Sequence, residues 1–181
     1  MSRTDLKLIS WCNSAKEVSK LSTCKYTKVG AVLLTEDFKI ISTGYNGVIS
    51  GATHCCDIDH VDRDAHGVFA DKFEIHAEMN ALLQVTEPSR LKNSICFSTL
   101  QPCYNCMKHL VQSGVKHFYF MEAYWRIDRK SYLMDAREAF PDISITQVHI
   151  CKSFENLPER IDKDIWKDEE RIFISEKIRL V

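Results

Sequence analysis

The sequence predicts an α/β protein in which helices cover both faces of a five-stranded mixed sheet, and three observations predict it. Strand-like runs alternate with helix-like stretches through the second half of the chain, the pattern of strands joined by crossover helices. The first two strand-like runs, KVGAVLL (28–34) and FKIIST (38–43), are separated by a short turn containing Glu36 and Asp37, which makes them an antiparallel hairpin. The chain has 181 residues, 45% of them apolar, enough for one domain, 1–181, with a sizeable core.

Each element follows from local pattern. Residues 5–20 carry Leu6, Ile9, Ala15 and Val18 at helical spacing and predict an amphipathic helix. The hairpin comes next and ends in GYNG (44–47), where Asn-Gly signals a turn. Residues 48–72 are polar, without clear periodicity, and read as a long loop, a kind that inside a compact domain tends to serve function. Ala77, Ala81, Leu82 and Val85 predict a short apolar helix over 76–86, stopped by Pro88. SICFST (94–99) reads as a strand, and a helix over 103–113 starts behind Pro102 and stops at Gly114. VKHFYFM (115–121) is an aromatic-rich strand, 128–138 a polar helix, ISITQVHI (143–150) the fifth strand, and the tail 154–181 a helical extension.

Charge narrows the function. Lys and Arg total 24 against 25 Asp and Glu, a formal net charge of −1. A protein that grips long nucleic acid usually shows a basic face, so no nucleic acid partner is expected; a small anion needs only one or two local cations. No apolar run approaches the ~18 residues of a membrane span, and the N-terminus has no long apolar segment of the secretory kind. The expected setting is therefore cytoplasmic. In such a compartment the eight cysteines point to metal rather than disulfides, with Cys12, Cys96 and Cys151 as buried free thiols.

The chemistry begins with EIHAEMNALL (74–83). His76 and Glu78 lie two apart, about 200° around a helix, so they do not share a face. The second signal is PCYNC (102–106), where Cys103 and Cys106 have the C-x2-C spacing that lets two thiolates reach one zinc. All three ligands fall at predicted helix starts, where the macrodipole favours a thiolate. Three ligands with an open fourth position is the catalytic zinc pattern. Glu78 is then free to face a water in that position, whose pKa zinc lowers to about 7, and to take its proton. Three plainer readings compete: a structural zinc knuckle, a Cys nucleophile with His76 as base, and unligated residues brought together by chance. The missing second Cys pair argues against the knuckle, and the paired thiols with H-x-E argue against a lone nucleophile.

The H-x-E…P-C-x-x-C pattern, here His76-Ala77-Glu78 and Pro102-Cys103-Tyr104-Asn105-Cys106, is the zinc-deaminase signature. Together with KVGAVLL, ISTGYNG, HCCD, TLQPCYNC and MEAY, it makes residues 5–126 resemble the deoxycytidylate (dCMP) deaminases, the phage-type enzymes above all. The resemblance implies a three-layer α/β/α cytidine-deaminase-like fold and hydrolysis of dCMP to dUMP and ammonia, supplying thymidylate synthesis. Glu78 would carry protons to ring N3 and the leaving amine, the backbone at Ala77 would anchor the base, and Asn46 would bind the sugar hydroxyl. Lys28, Tyr124 and Arg126 are candidates for the 5′-phosphate, or alternatively ordinary surface residues. The resemblance also implies a second, structural zinc held by Cys24, Cys55, His66 and Glu74, which would tie the long loop to the core. It implies activation by dCTP with Mg²⁺, inhibition by dTTP, an effector site involving Gly44, Tyr45, Asn46 and Gly47, a homohexamer, and a host cytoplasm if phage-encoded. Two alternatives remain beside dCMP: cytosine in a polynucleotide, and a 5-modified dCMP.

Overall fold

The computed structural model describes residues 2–59, 62–123, 138–151 and 171–175, with the backbone alone given for Cys151 and Arg171–Ser175. A helix, α1 (Arg3–Ser19), opens the chain; Ser2 caps it, its Oγ accepting from the Asp5 N–H at 3.1 Å while Asp5 accepts from the Ser2 N–H at 2.7 Å. The hairpin follows as β1 (Gly30–Leu34) and β2 (Ile40–Tyr45). Its turn places Phe38 at φ 66°, and the Thr35 N–H donates to the Lys39 carbonyl at 2.9 Å to close it. Two-residue strands β3 (Gly47–Val48) and β4 (Glu74–Ile75) pair with each other, and between them lie a 3₁₀ turn (Cys55–Asp57) and the helix α2 (Arg63–Phe73). Then come α3 (Ala77–Leu83), β5 (Ser94–Leu100), α4 (Tyr104–Ser113), β6 (Val115–Glu122), β7 (Ser144–Cys151) and β8 (Arg171–Ser175).

The main sheet has the order β2-β1-β5-β6-β7-β8. β1 runs antiparallel to both β2 and β5, while β5–β6, β6–β7 and β7–β8 are parallel, so the sheet is mixed as expected. Alternation along the strands sorts two cores. Ala31, Leu33, Cys96, Phe118 and Phe120 point to one face and pack with Ala77 and Ala81 of α3 and Met107 and Leu110 of α4. Val32, Leu34, Ile95 and Phe97 point to the other and pack with Leu8, Ile9, Cys12 and Ala15 of α1. Helices on both faces of one sheet make the three-layer α/β/α architecture.

Two glycines permit that packing. A Cβ at Gly30 would lie 2.1 Å from the Ala15 carbonyl oxygen of α1, and one at Gly44 would lie 2.2 Å from the Ala81 nitrogen and 2.3 Å from the Ala77 oxygen of α3. Both helices lie directly on strand backbone that no side chain could share.

Four expectations are corrected. GYNG is not a tight turn: Gly44 and Tyr45 end β2, Gly47 starts β3, and neither Asn46 nor Gly47 has positive φ. The long loop over 48–72 contains α2, whose Asp62 cap accepts from the Ala65 N–H at 2.7 Å. The sheet has six strands rather than five, because Arg171–Ser175 pairs with β7 inside a tail expected to be helical. The apolar helix starting at His76 ends at Leu83, earlier than expected. The helix expected over 128–138 and the rest of the tail fall almost wholly outside the described residues. No helix among the described residues is long and apolar enough to cross a membrane.

Candidate metal centre and its cavity

The convergence of His76 with Cys103 and Cys106 follows from topology. β5 and β6 are parallel neighbours joined by α4, so α4 begins at the end of β5. The start of α3 lies beside it because α3 packs on β1 and β2 in the same layer. His76 is the cap residue of α3 and Cys103 the cap residue of α4. His76 has extended backbone and makes no capping hydrogen bond, which leaves its ring to face the thiols. His76 Nδ1 is 3.4 Å from Cys103 Sγ and 3.4 Å from Cys106 Sγ, and the Cys106 N–H donates to Cys103 Sγ at 3.4 Å.

These residues fit a zinc ion. Zn–S bonds of about 2.3 Å and Zn–N bonds of about 2.0 Å in a tetrahedron place ligand atoms roughly 3.5 Å apart. One nitrogen and two sulfurs, all within 4.8 Å of one another, supply three ligands of the right chemistry. Electrostatics favour a cation between them: hydrogen bonds from Cys106 and His76 hold the Cys103 thiol down at about 4, and the Cys103 contact lifts His76 to about 9. Cys106, which shares its proton with Cys103 and is buried, is pushed up. A metal cation would draw both thiols into the thiolate form.

Glu78 stands in the first turn of α3, only 3% exposed. Burial raises its carboxyl to about 7 against the partial opposition of His76. Asn80 donates to the Tyr45 carbonyl at 2.7 Å and Ser42 Oγ to the Ala81 carbonyl at 2.7 Å, so α3 is bolted to β2 on both sides of Gly44.

A second group gathers Cys24, Cys55, His66 and Glu74, with one ligand atom from each within 4.8 Å of the others. Cys24 Sγ lies 3.2 Å from His66 Nε2, and Glu74 Oε1 lies 3.6 Å from the same nitrogen. Backbone N–H groups of Thr27 and Lys25 donate to the Cys24 and Cys55 sulfurs, each at 3.5 Å, as they would to thiolates. Glu74 Oε1 is buried without a hydrogen-bond partner, a cost that a cation would remove. Two sulfurs, a nitrogen and a carboxylate oxygen also match zinc.

Both groups open onto one cavity of about 460 Å³. Lys28, Asn46, Ala77 and Glu78 line it, as do Cys24, His66, Glu74, His76 and Cys103. Asn46 is buried, and its amide is engaged by the protein: Oδ1 accepts from the Val29 N–H at 2.8 Å, and Nδ2 donates to the Thr27 carbonyl at 2.9 Å and toward Glu74 Oε2 at 3.4 Å. Gly44 does not reach the cavity and serves the packing of α3, while Tyr45 is 38% exposed on the edge strand. Tyr124 and Arg126 lie outside the described residues. The structure adds Arg63, Asp71 and Gln101 to the cavity lining. Gln101 directly precedes the PCYNC motif and could have been found by proximity. Arg63 and Asp71 could not, because they reach the cavity only on α2.

A mixed sheet between helical layers, with one His and two Cys at neighbouring helix starts beside a buried Glu, defines the class of zinc-binding hydrolytic deaminases. The profile of the cytidine and deoxycytidylate deaminase zinc-binding region matches residues 4–122, and the chain belongs to that family. It is similar to the deoxycytidylate deaminase of Enterobacteria phage T4, with 32% identity over 142 residues, covering 59% of this chain and 73% of that one. Its fold is similar to the crystal structure of dCMP deaminase from the cyanophage S-TIM5 in apo form, with a TM-score of 0.57 and 28% identity over 82% of this chain and 98% of that one. The same cyanophage enzyme in complex with dCMP and dUMP matches with a TM-score of 0.57 and 30% identity over 75% of this chain and 93% of that one.

Proposed function

We propose that this chain, as a single domain over 1–181, hydrolyses dCMP to dUMP and ammonia. One observation carries the reading: a buried Glu78 carboxyl shares a cavity with a His76–Cys103–Cys106 zinc-ligand set. The names of the phage relatives, and the dCMP and dUMP in the cyanophage complex, support the choice of substrate.

His76, Cys103 and Cys106 would hold the catalytic zinc. When bound there, zinc supplies a Lewis acid that lowers the pKa of water to about 7. The residues of the chain do the rest. Glu78 takes a proton from the attacking water and delivers it to N3 as the new C–O bond forms at C4. It then takes the remaining proton from the new C4 hydroxyl and gives it to the amine as the C4–N4 bond breaks, so ammonia leaves and the C4 carbonyl of uracil forms. The enclosed position of Glu78 keeps bulk water from competing for that proton. The backbone at Ala77, fully buried at the cavity edge, orients the base. Asn46 faces the sugar while its amide braces the Thr27–Val29 segment. Lys28 meets the phosphate, together with Tyr124 and Arg126.

Cys24, Cys55, His66 and Glu74 hold the second zinc. The resemblance of GYNG supports activation by dCTP with Mg²⁺ and inhibition by dTTP in a homohexamer. The reading further places the enzyme in the cytoplasm, or a host's cytoplasm, feeding thymidylate synthesis. The test is loss of cytosine absorbance with zinc-replete protein on dCMP, CMP, dCTP, deoxycytidine, 5-methyl-dCMP and a cytosine-containing oligonucleotide, each with and without dCTP and Mg²⁺. Turnover of dCMP above all the others is expected; turnover of the oligonucleotide alone would overturn the substrate assignment.

A further inference from the structure

α2 is a cavity wall with no core behind it. Among the described residues between Asn46 and His76, none belongs to either hydrophobic core. Only His66 and Gly67 of α2 are buried, while Val68 and Phe73 are exposed at 59% and 42%. Among the described elements its main packing is against β3 and β4, and just beyond β3 the Ile49 N–H donates to the Phe73 carbonyl at 3.1 Å. Isolated helices shorter than about 12–15 residues are marginal in water, and helical stability in proteins comes mostly from burying an apolar face. α2 has 11 residues, and of its apolar side chains Val68 and Phe73 are exposed while Phe69 and Ala70 are only half-buried, so a ligand held at the buried His66 adds what its apolar face lacks.

What it buries instead is a ligand. His66 sits against Cys24 at 3.2 Å, and its ring lies 4.4 Å, centroid to centroid, from that of Tyr26. The same face of the helix lines the cavity: Arg63, His66, Gly67, Ala70 and Asp71 follow the i, i+3, i+4, i+7, i+8 pattern of one stripe. The C-cap residue of α2, Glu74, belongs to both the cavity lining and the ligand group.

We infer that metal bound at Cys24, Cys55, His66 and Glu74 is a substrate-affinity device: it fixes α2 as a wall of the reaction cavity and so presents Arg63 to the anionic end of the substrate. This rests on the reading of the chain as a deaminase of a phosphorylated nucleoside. Along α2, Arg63 is the lining residue most distant in sequence from Glu74, which stands two residues before the catalytic ligand His76. That puts it toward the end of the wall remote from the reacting C4, where a 5′-phosphate belongs. His76, Glu78, Cys103 and Cys106 are carried by α3 and α4, which the main core grips, so the reacting groups keep their places when the wall loosens.

The test uses the full-length, zinc-loaded protein and His66→Ala. The variant should bind one zinc fewer per chain, raise KM for dCMP by about tenfold or more and keep kcat within about threefold. Hydrogen exchange, which does not depend on turnover, should show amides of 63–73 losing protection while those of 104–113 keep theirs. Protection of 63–73 that survives loss of the second zinc would overturn the inference, as would kcat and 104–113 failing together with KM. Arg63→Gln, on the exposed rim, covers the case in which His66→Ala does not fold. It should keep both zincs and raise KM for dCMP while leaving KM for deoxycytidine unchanged; an unchanged KM for dCMP would refute the wall's part in binding. If the wild type does not turn over dCMP at all, the deaminase reading fails, and the exchange comparison still decides whether metal holds α2.

Discussion

His76, Cys103 and Cys106 stand at the starts of helices that the core already grips, whereas Cys24, Cys55, His66 and Glu74 come from a loop, a 3₁₀ turn, an isolated helix and a two-residue strand. The first group borrows its geometry from packing: α3 presses on the bare backbone of Gly44, and α4 buries Met107 and Leu110. The second group lends geometry to its surroundings, since none of its four ligand residues belongs to either hydrophobic core. The contrast separates a site that the fold builds from a site that builds part of the fold, as metal binding coupled to local folding does.

The comparison can be broken at several points, the largest effect first. Glu78→Gln should lower kcat for dCMP by about 10²–10⁴ and leave the zinc content unchanged, since it removes the proton carrier and no ligand. Metal analysis beside the absorbance assay checks both halves, and loss of zinc in this variant would make Glu78 a ligand instead.

Next, the two groups should fail differently. Cys103→Ser should abolish turnover yet leave 48–73 resistant to limited proteolysis. Cys55→Ser should open that segment to cleavage at least about tenfold faster, because its local opening no longer costs the ligation energy. Equal cleavage of the two variants would erase the distinction between the groups.

Gly44→Ala then tests how far the first site leans on packing. Its new Cβ would meet the Ala77 and Ala81 backbone, and overpacking of this kind costs about 1–3 kcal/mol. Urea unfolding should register that loss, and kcat should fall with it because α3 carries Glu78. Ser42→Ala is the gentlest probe: it removes a buried hydroxyl bond to the Ala81 carbonyl and leaves an acceptor unmatched, a loss of about 1 kcal/mol with little effect on zinc content.

Much of the molecule was legible in sequence because its signals are local. β1, β5, β6 and β7 follow from short apolar runs, and α4 from Pro102 and Gly114 at its ends. His76, Glu78, Cys103 and Cys106 announce themselves by spacing, because ligands on neighbouring helix starts must recur at fixed offsets. GYNG misled because Asn-Gly is a turn signal only where the backbone has nothing better to do. Here the Asn46 amide ties the end of β2 to Val29 and Thr27, and Gly44 makes room for a helix.

The sequence by itself therefore determined the layered α/β core and the chemistry of the zinc-binding motif, since hydrophobic period and ligand spacing act over a few residues. Tertiary structure alone decided that α2 exists as a cavity wall, that Arg63 and Asp71 face the same space as Glu78, and that a sixth strand joins the sheet through Arg171–Ser175. The reason is physical. A helix that buries a histidine in place of an apolar stripe leaves little periodicity to read, and RIFIS (171–175), β-prone in its own composition, becomes a sixth strand by pairing with β7 inside a tail whose charge pattern reads as helix.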